Sequence, residues 1–149
     1  MYLDSAIIVK LIVREAGSDW FSRNLARHSF ETSELALAEV RSALLAKERA
    51  GHITASERIM AGKKFLMMVE DDLIRLFPLN RGVLERASAI QLACHPRIPL
   101  RTLDALHVAT CDLHHSEALS TTDGRIRGAC EQFAIALVPA KLEDLTAAN

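Results

Sequence analysis

Four acidic side chains stand beside apolar runs, where a carboxylate is costly unless something requires it: Asp4, Glu39, Asp104 and Asp123. Asp4 closes Met1-Tyr2-Leu3 and precedes Ile7-Ile8-Val9, and Glu39 interrupts Leu35-Ala36-Leu37-Ala38-Glu39-Val40. Asp104 lies within Thr102-Leu103-Asp104-Ala105-Leu106, and Asp123 follows Ala118-Leu119-Ser120-Thr121-Thr122. Two carboxylates ~4 Å apart repel by about 4 kcal/mol at an effective dielectric of about 20. A cluster of them raises its own pKa values unless a cation neutralises it. All-oxygen donor sets suit a hard cation such as Mg²⁺ or Mn²⁺. Such a cation activates water and offsets charge on a scissile phosphate. Taken singly, Asp4 and Asp104 also read as helix caps, and Glu39 as a solvated first-turn residue. The conjunction of four favours a site.

The elements that must position these groups alternate between strand and helix. Residues 1–4 read as a short buried strand, and Ser5 as the cap of a helix running to Val13. A turn at Arg14-Glu15-Ala16-Gly17 ends that helix, and Ser18 caps a second one reaching Arg27. Residues 29–33 form a short strand. A long helix from Leu35 to Ala50 stops at Gly51-His52, and the capping box Thr54-Ala55-Ser56-Glu57 opens another to Val69. A connection this short makes the two helices an antiparallel hairpin. Residues 73–77 alternate as a strand that Pro78 ends. Asn80 caps a helix to Cys94, and Thr102 one to His114. A strand at 118–121, a helix from Arg125 to Phe133 and a strand at 134–138 follow. The pattern predicts an α/β fold with a mostly parallel sheet. Ligands of such sheets sit outside the carboxyl ends of the strands, where Asp4 and Asp123 fall.

At 149 residues the chain reads as one domain spanning 1–149, long enough to bury roughly 68–70% of its unfolded surface. A net charge of −1 gives no global attraction to a polyanion. Any such substrate needs a local basic patch or a bound metal. Lys10, Arg14, Arg125 and Arg127 flank the acidic motifs and are the best phosphate contacts, with a solvated face as the alternative. Thr121 and Ser5 supply hydroxyls at the same junctions. Cys94, Cys111 and Cys130 are odd in number, dispersed and without CxxC spacing, which points to three buried thiols rather than zinc or disulfides. The chain opens directly on a strand, with no room for a signal peptide, and no apolar run approaches a membrane span. The expected compartment is the cytoplasm.

Among other reactive types, His107 lies three residues after Asp104; it reads first as a helix-packing histidine and second as a group within reach of a metal. No Ser-His-Asp set or glycine-rich phosphate loop is present. Trp20-Phe21 and the stripe Met60, Lys64, Met67, with Phe65 and Met68 nearby, read as core or as a groove for a partner segment.

Met1-Tyr2-Leu3-Asp4-Ser5-Ala6-Ile7-Ile8-Val9-Lys10-Leu11 resembles the opening of PIN-domain (PilT N-terminus) proteins, particularly the VapC-type toxins of toxin–antitoxin pairs. Ser33-Glu34-Leu35-Ala36-Leu37-Ala38-Glu39-Val40-Arg41-Ser42-Ala43-Leu44 resembles the second acidic motif of that family. Leu100-Arg101-Thr102-Leu103-Asp104-Ala105-Leu106-His107-Val108-Ala109-Thr110 is similar to its third, and Leu119-Ser120-Thr121-Thr122-Asp123-Gly124-Arg125-Ile126 to its fourth. The match runs in order over nearly the whole chain. It implies a three-layer α/β/α fold and a Mg²⁺- or Mn²⁺-dependent endoribonuclease. Asp4, Glu39, Asp104 and Asp123 would be both catalytic residues and metal ligands, and Lys10, Arg14, Thr121 and Arg125 substrate contacts. It further implies a homodimer, an RNA substrate and a small antitoxin partner. One departure is Ala6, where family members often carry a hydroxyl. A nuclease of RNA maturation without an antitoxin and an inactive binding module on the same fold stay open as alternatives. A phospho-receiver lacks its strand-end Asp and Lys here, and a haloacid-dehalogenase-like phosphatase lacks the second Asp at position 6.

Overall fold

The computed structural model describes residues 1–146. Five parallel strands form one sheet in the order β3-β2-β1-β4-β5. They are β1 (Tyr2–Leu3), β2 (Phe30–Ser33), β3 (Ile74–Phe77), β4 (Leu119–Ser120) and β5 (Leu137–Val138). The helices between them are α1 (Ser5–Ile12), α2 (Ser18–Asn24), α3 (Ala36–Arg49), α4 (Ala55–Glu70), α5 (Arg81–Cys94), α6 (Thr102–Leu113) and α7 (Gly124–Gln132). A short 3₁₀ turn, Leu142–Leu145, follows.

Two apolar clusters divide the helices between the faces of the sheet. Leu3 and Ile74 pack with Ile7, Ile8, Phe21, Val40, Leu44 and Phe65 from α1 to α4. Tyr2 and Leu119 pack with Val83, Ile90, Val108 and Ala129 from α5 to α7. Adjacent residues of a strand face opposite ways, so Tyr2 and Leu3 feed different layers. This is the three-layer α/β/α arrangement that the sequence implies. Successive strands step outward from β1 to β3; the chain then crosses back through α5 and α6 to add β4 on the other side of β1. The seam between β1 and β4 is the switch point at which open parallel sheets bind ligands.

Local chemistry explains most boundaries. Thr54 and Glu57 form the expected capping box, and Asn80 Oδ1 accepts the Val83 N–H at 3.1 Å. An Arg58–Glu48 ion pair ties the α3–α4 hairpin together. Three helix starts differ from the caps first assigned, the first in favour of the cap reading of Asp4. Asp4, not Ser5, caps α1, its Oδ1 accepting the Ile7 N–H at 2.8 Å. Gly17, at φ +85°, precedes α2, because the Ser18 hydroxyl is used to close the preceding turn on Glu15 N–H and Val13 C=O. Arg101 stands at the cap position of α6, and Thr102 is already inside that helix. The last two strands are shorter than their apolar runs, since only two residues of each pair in the sheet. All three cysteines are free and buried, and burial pushes the Cys111 and Cys130 thiols up to about 12. Among the described residues no helix is long and apolar enough to cross a membrane.

Candidate functional site

The four acidic residues lie along the carboxyl edge of the sheet, around the β1–β4 seam. Asp4 follows β1, Asp123 caps α7 after β4, and Glu39 sits in the first turn of α3 after β2. Asp104 sits in the first turn of α6. Parallel strands with short connections force this outcome, because each helix after a strand starts at that strand's carboxyl end. α6 follows α5 rather than a strand; its N-terminus brings Asp104 within reach of the Asp123 charge, and a helix N-terminus favours a carboxylate by ~0.3–1 kcal/mol.

Asp4 is buried. Its Oδ1 takes the Ile7 amide and its Oδ2 the Thr121 hydroxyl. Burial pushes its carboxyl above the ordinary aspartate range, opposed by those donors and reinforced by the charge of Asp123. Thr121 Oγ1 also accepts the Asp123 N–H at 3.0 Å, so one hydroxyl joins both aspartates. Asp123 Oδ1 caps α7 through the Arg125 and Ile126 amides at 2.7 and 3.2 Å, and its Oδ2 lies 3.5 Å from the Arg125 guanidinium. Asp104 Oδ2 accepts the Arg101 N–H at 3.3 Å. Burial and the Asp123 charge push the Asp104 carboxyl up, against the charges of Arg125 and Arg101.

Glu39 is held differently. Its Oε2 accepts from Ser5 Oγ at 2.6 Å and sits 2.7 Å from His107 Nε2. Burial pulls this carboxyl upward, yet the His107 and Ser5 contacts outweigh it and hold the group below the ordinary glutamate range. His107 is buried, with its other ring nitrogen 2.8 Å from the Tyr2 hydroxyl. It therefore packs inside its helix, as expected, and also reaches the acidic edge through Glu39. Sequence reading had no signal for this bond beyond the i+3 spacing from Asp104. Arg101, three residues before Asp104, was also missed as a cation of the site.

The expected phosphate contacts separate. Arg125 lies at the carboxylates. Thr121 is fully buried and its hydroxyl is committed to Asp4. Lys10 lies one and a half turns along α1 from the edge, bound to Glu15 at 2.7 Å, with Lys47 on the same carboxylate. Arg14 is exposed beyond the end of α1, 3.4 Å from Asp19. Arg127 corrects the expectation outright: it is buried and its guanidinium donates to the carbonyls of Thr121, Pro139 and Ala140, at 3.4, 2.9 and 2.7 Å. It is a strut for the chain after β5.

The donor set suits a hard cation, being all carboxylate oxygen. Glu39 Oε1 and Asp104 Oδ1 make no hydrogen bond within the described residues. Among the described residues, however, no three His, Cys, Asp or Glu side chains are grouped as ligands of one ion. The carboxylates are turned onto protein donors, and holding a cation means exchanging some of those contacts. A separate groove between α3 and α4 is lined by Leu37, Leu45, Ile59 and Leu66 together with Arg41, Arg58 and Lys63, and none of the four carboxylates borders it. Met60 and Met67 extend apolar surface along α4 and are 63% and 59% exposed. Phe65 takes the core reading: it is 3% exposed and packs with Val40 and Leu44. Phe21 is likewise core, with the half-buried Trp20 edge-on against it.

Comparison with known proteins agrees with this architecture. The chain is 37% identical over 141 residues to Ribonuclease VapC46 of Mycobacterium tuberculosis, covering 93% of this chain and 95% of that protein. Its fold is similar to that of M. tuberculosis VapC20, a sarcin-ricin loop cleaving toxin, with a TM-score of 0.67, 19% identity, and 86% and 93% of the two chains covered. It is similar also to FitAcB from Neisseria gonorrhoeae, with a TM-score of 0.66, 17% identity, and 91% and 94% covered. A toxin-antitoxin complex from Klebsiella pneumoniae aligns with a TM-score of 0.56 at 15% identity, over 82% and 85% of the chains. The PIN domain model matches residues 1–132, which takes in all four acidic motifs and the whole sheet except β5, and the chain belongs to the PIN-domain family.

Proposed function

We propose that this chain is a divalent-metal-dependent endoribonuclease, the toxin of a VapBC-type pair, acting in the cytoplasm. The observation that supports the reading is the buried Asp4 after β1, tied through Thr121 to Asp123 after β4, with Asp104 near enough to feel the Asp123 charge and Glu39 in the first turn after β2. A buried carboxylate with a raised pKa costs stability, and a cation would repay that cost. The 37% identity to a VapC ribonuclease over most of both chains supports the choice of RNA.

In this reading Asp4, Glu39, Asp104 and Asp123 would hold Mg²⁺ or Mn²⁺ on exchanging some of their present hydrogen bonds. The bound cation supplies Lewis-acid stabilisation of charge on the phosphodiester and activation of the attacking water. Thr121 orients Asp4 and Asp123 relative to each other. Arg125 and Arg101, beside Asp123 and Asp104, hold the phosphates that flank the scissile one, since phosphate contacts fix register without reading sequence. Lys10 and Arg14 lie further off and contact RNA only beyond those phosphates.

The partner is a small antitoxin that lays an apolar segment into the α3–α4 groove and brings an Arg to the carboxylates, where pairing displaces the cation and relieves repulsion. The chain itself associates as a homodimer. Inducible expression tests the reading: growth arrest relieved by Asp4→Asn and by co-expression of the adjacent small gene supports it. Arrest that the small gene neither relieves nor co-purifies with would favour an RNA-maturation nuclease.

A further inference from the structure

We propose that His107 is a positioning residue of the acidic centre: seated on Tyr2, it fixes Oε2 of Glu39 and leaves Oε1 as that side chain's one donor for a cation. The inference rests on the metal-dependent reading given above.

A buried imidazole needs a partner at each nitrogen, because an unpaired polar atom in the interior costs about 1–3 kcal/mol. His107 has both. Nδ1 lies 2.8 Å from the Tyr2 hydroxyl and Nε2 lies 2.7 Å from Glu39. The two rings meet edge to face, with centroids 5.8 Å apart. Glu39, as a carboxylate, can only accept, so the imidazole presents an Nε2 proton to it. The Ser33 backbone N–H can only donate, and it donates into the Tyr2 oxygen at 3.1 Å. The Tyr2 hydroxyl thereby seats the ring at Nδ1 while Nε2 faces the carboxylate. Ser5 Oγ donates to the same oxygen, Oε2, at 2.6 Å. Two donors on one oxygen fix the plane of the carboxylate and turn Oε1 away from both.

The chain of contacts links β2, β1, α6, α3 and α1, crossing from the α5–α7 layer to the α1–α4 layer. His107 also stands three residues after Asp104 on the inner side of α6. One turn of one helix therefore sets two carboxylates: Asp104 directly and Glu39 through the imidazole. Partners that orient a ligand in this way typically matter 10- to 100-fold in metal affinity.

The test is Mn²⁺ binding to metal-free protein by calorimetry, together with melting temperature and steady-state cleavage of RNA. His107→Ala is expected to weaken Mn²⁺ about 10- to 100-fold and to lower kcat more than it raises KM. His107→Gln, which keeps an N–H for Glu39, is expected to recover most of that loss. In a Glu39→Ala background, removing His107 is expected to cost no further affinity, because the effect runs through Glu39. A His107→Ala protein that melts earlier but binds Mn²⁺ as the wild type does would reduce His107 to a packing residue. If His107→Ala fails to fold, Tyr2→Phe, which removes the hydroxyl that seats the imidazole, carries the comparison, and unchanged Mn²⁺ affinity in it would overturn the proposal. Wild-type protein that neither binds Mn²⁺ nor cleaves RNA would instead remove the metal reading, and this inference with it.

Discussion

Thr121 Oγ1 donates to Asp4 Oδ2 across the β1–β4 seam, joining residues 117 positions apart in the chain. The same oxygen accepts the Asp123 N–H, so a single buried hydroxyl couples the ends of two neighbouring strands to two carboxylates. In a chain with Ala at position 6, this is the hydroxyl that reaches the first aspartate.

Thr121→Val keeps the shape and removes that donor. The buried Asp4 loses a hydrogen bond to its charged form, at a cost of about 1–3 kcal/mol. The loss is present while Asp4 is ionised and fades as pH falls and the carboxyl takes a proton. Denaturant midpoints in EDTA at neutral and at acid pH check this, and an equal loss at both would contradict it.

Asp104 and Glu39 carry opposite pH signatures. Asp104 is raised above its ordinary 3.8, so the native state holds this proton more tightly than the unfolded chain does. Ionising it costs stability, a cost absent below the ordinary value and complete above the raised one. Asp104→Asn is therefore expected to stabilise the metal-free protein at neutral pH. Glu39 is lowered below its ordinary 4.5, so its contribution is present above that value and lost as pH falls through the native one. Glu39→Gln is expected to destabilise at neutral pH, with the difference shrinking in acid. Melting curves of both variants in EDTA decide the signs.

Arg101 and Arg125 are expected to contribute to the salt dependence of RNA binding. Each phosphate contact to a single strand contributes about 0.7 to the slope of log affinity against log salt. Arg101→Ala and Arg125→Ala should each lower the slope by roughly that amount in EDTA. Arg81→Ala, an exposed residue paired with Glu85, should leave it unchanged.

The α3–α4 hairpin separates packing from partner binding. Phe65→Ala opens a core cavity and should cost about 3–5 kcal/mol. Ile59→Asp and Leu66→Asp alter exposed groove residues; they should leave folding and cleavage intact while abolishing co-purification with the antitoxin. Retained binding in both would move the partner surface elsewhere.

Much of this architecture was legible in the chain. The capping box at Thr54 and Glu57, the Asn80 cap and the alternation of strands with helices are local signals, and each acts within a few residues. Parallel topology puts Asp4, Glu39 and Asp123 just after the carboxyl ends of β1, β2 and β4, whereas Asp104 is carried by α6, which follows another helix. What the sequence reading missed is non-local. Glu39 and His107 are 68 residues apart, and Ser5 and Glu39 are 34 apart. Arg127 carries the same charge as Arg125 two residues earlier, yet one lines the acidic edge and the other braces carbonyls in the interior. That difference follows from which face of α7 meets the sheet, not from residue type.

The most direct test of the central claim is cleavage of RNA by purified protein through one cycle of metal removal and return. Activity should vanish in EDTA and return with Mg²⁺ or Mn²⁺. Asp4→Asn and Asp104→Asn, folded by circular dichroism, should lose at least about 10²-fold under the restored condition, the scale at which a single charge-stabilising group is felt. Cleavage that persists in EDTA, or an Asp104→Asn protein as active as the wild type, would contradict the account.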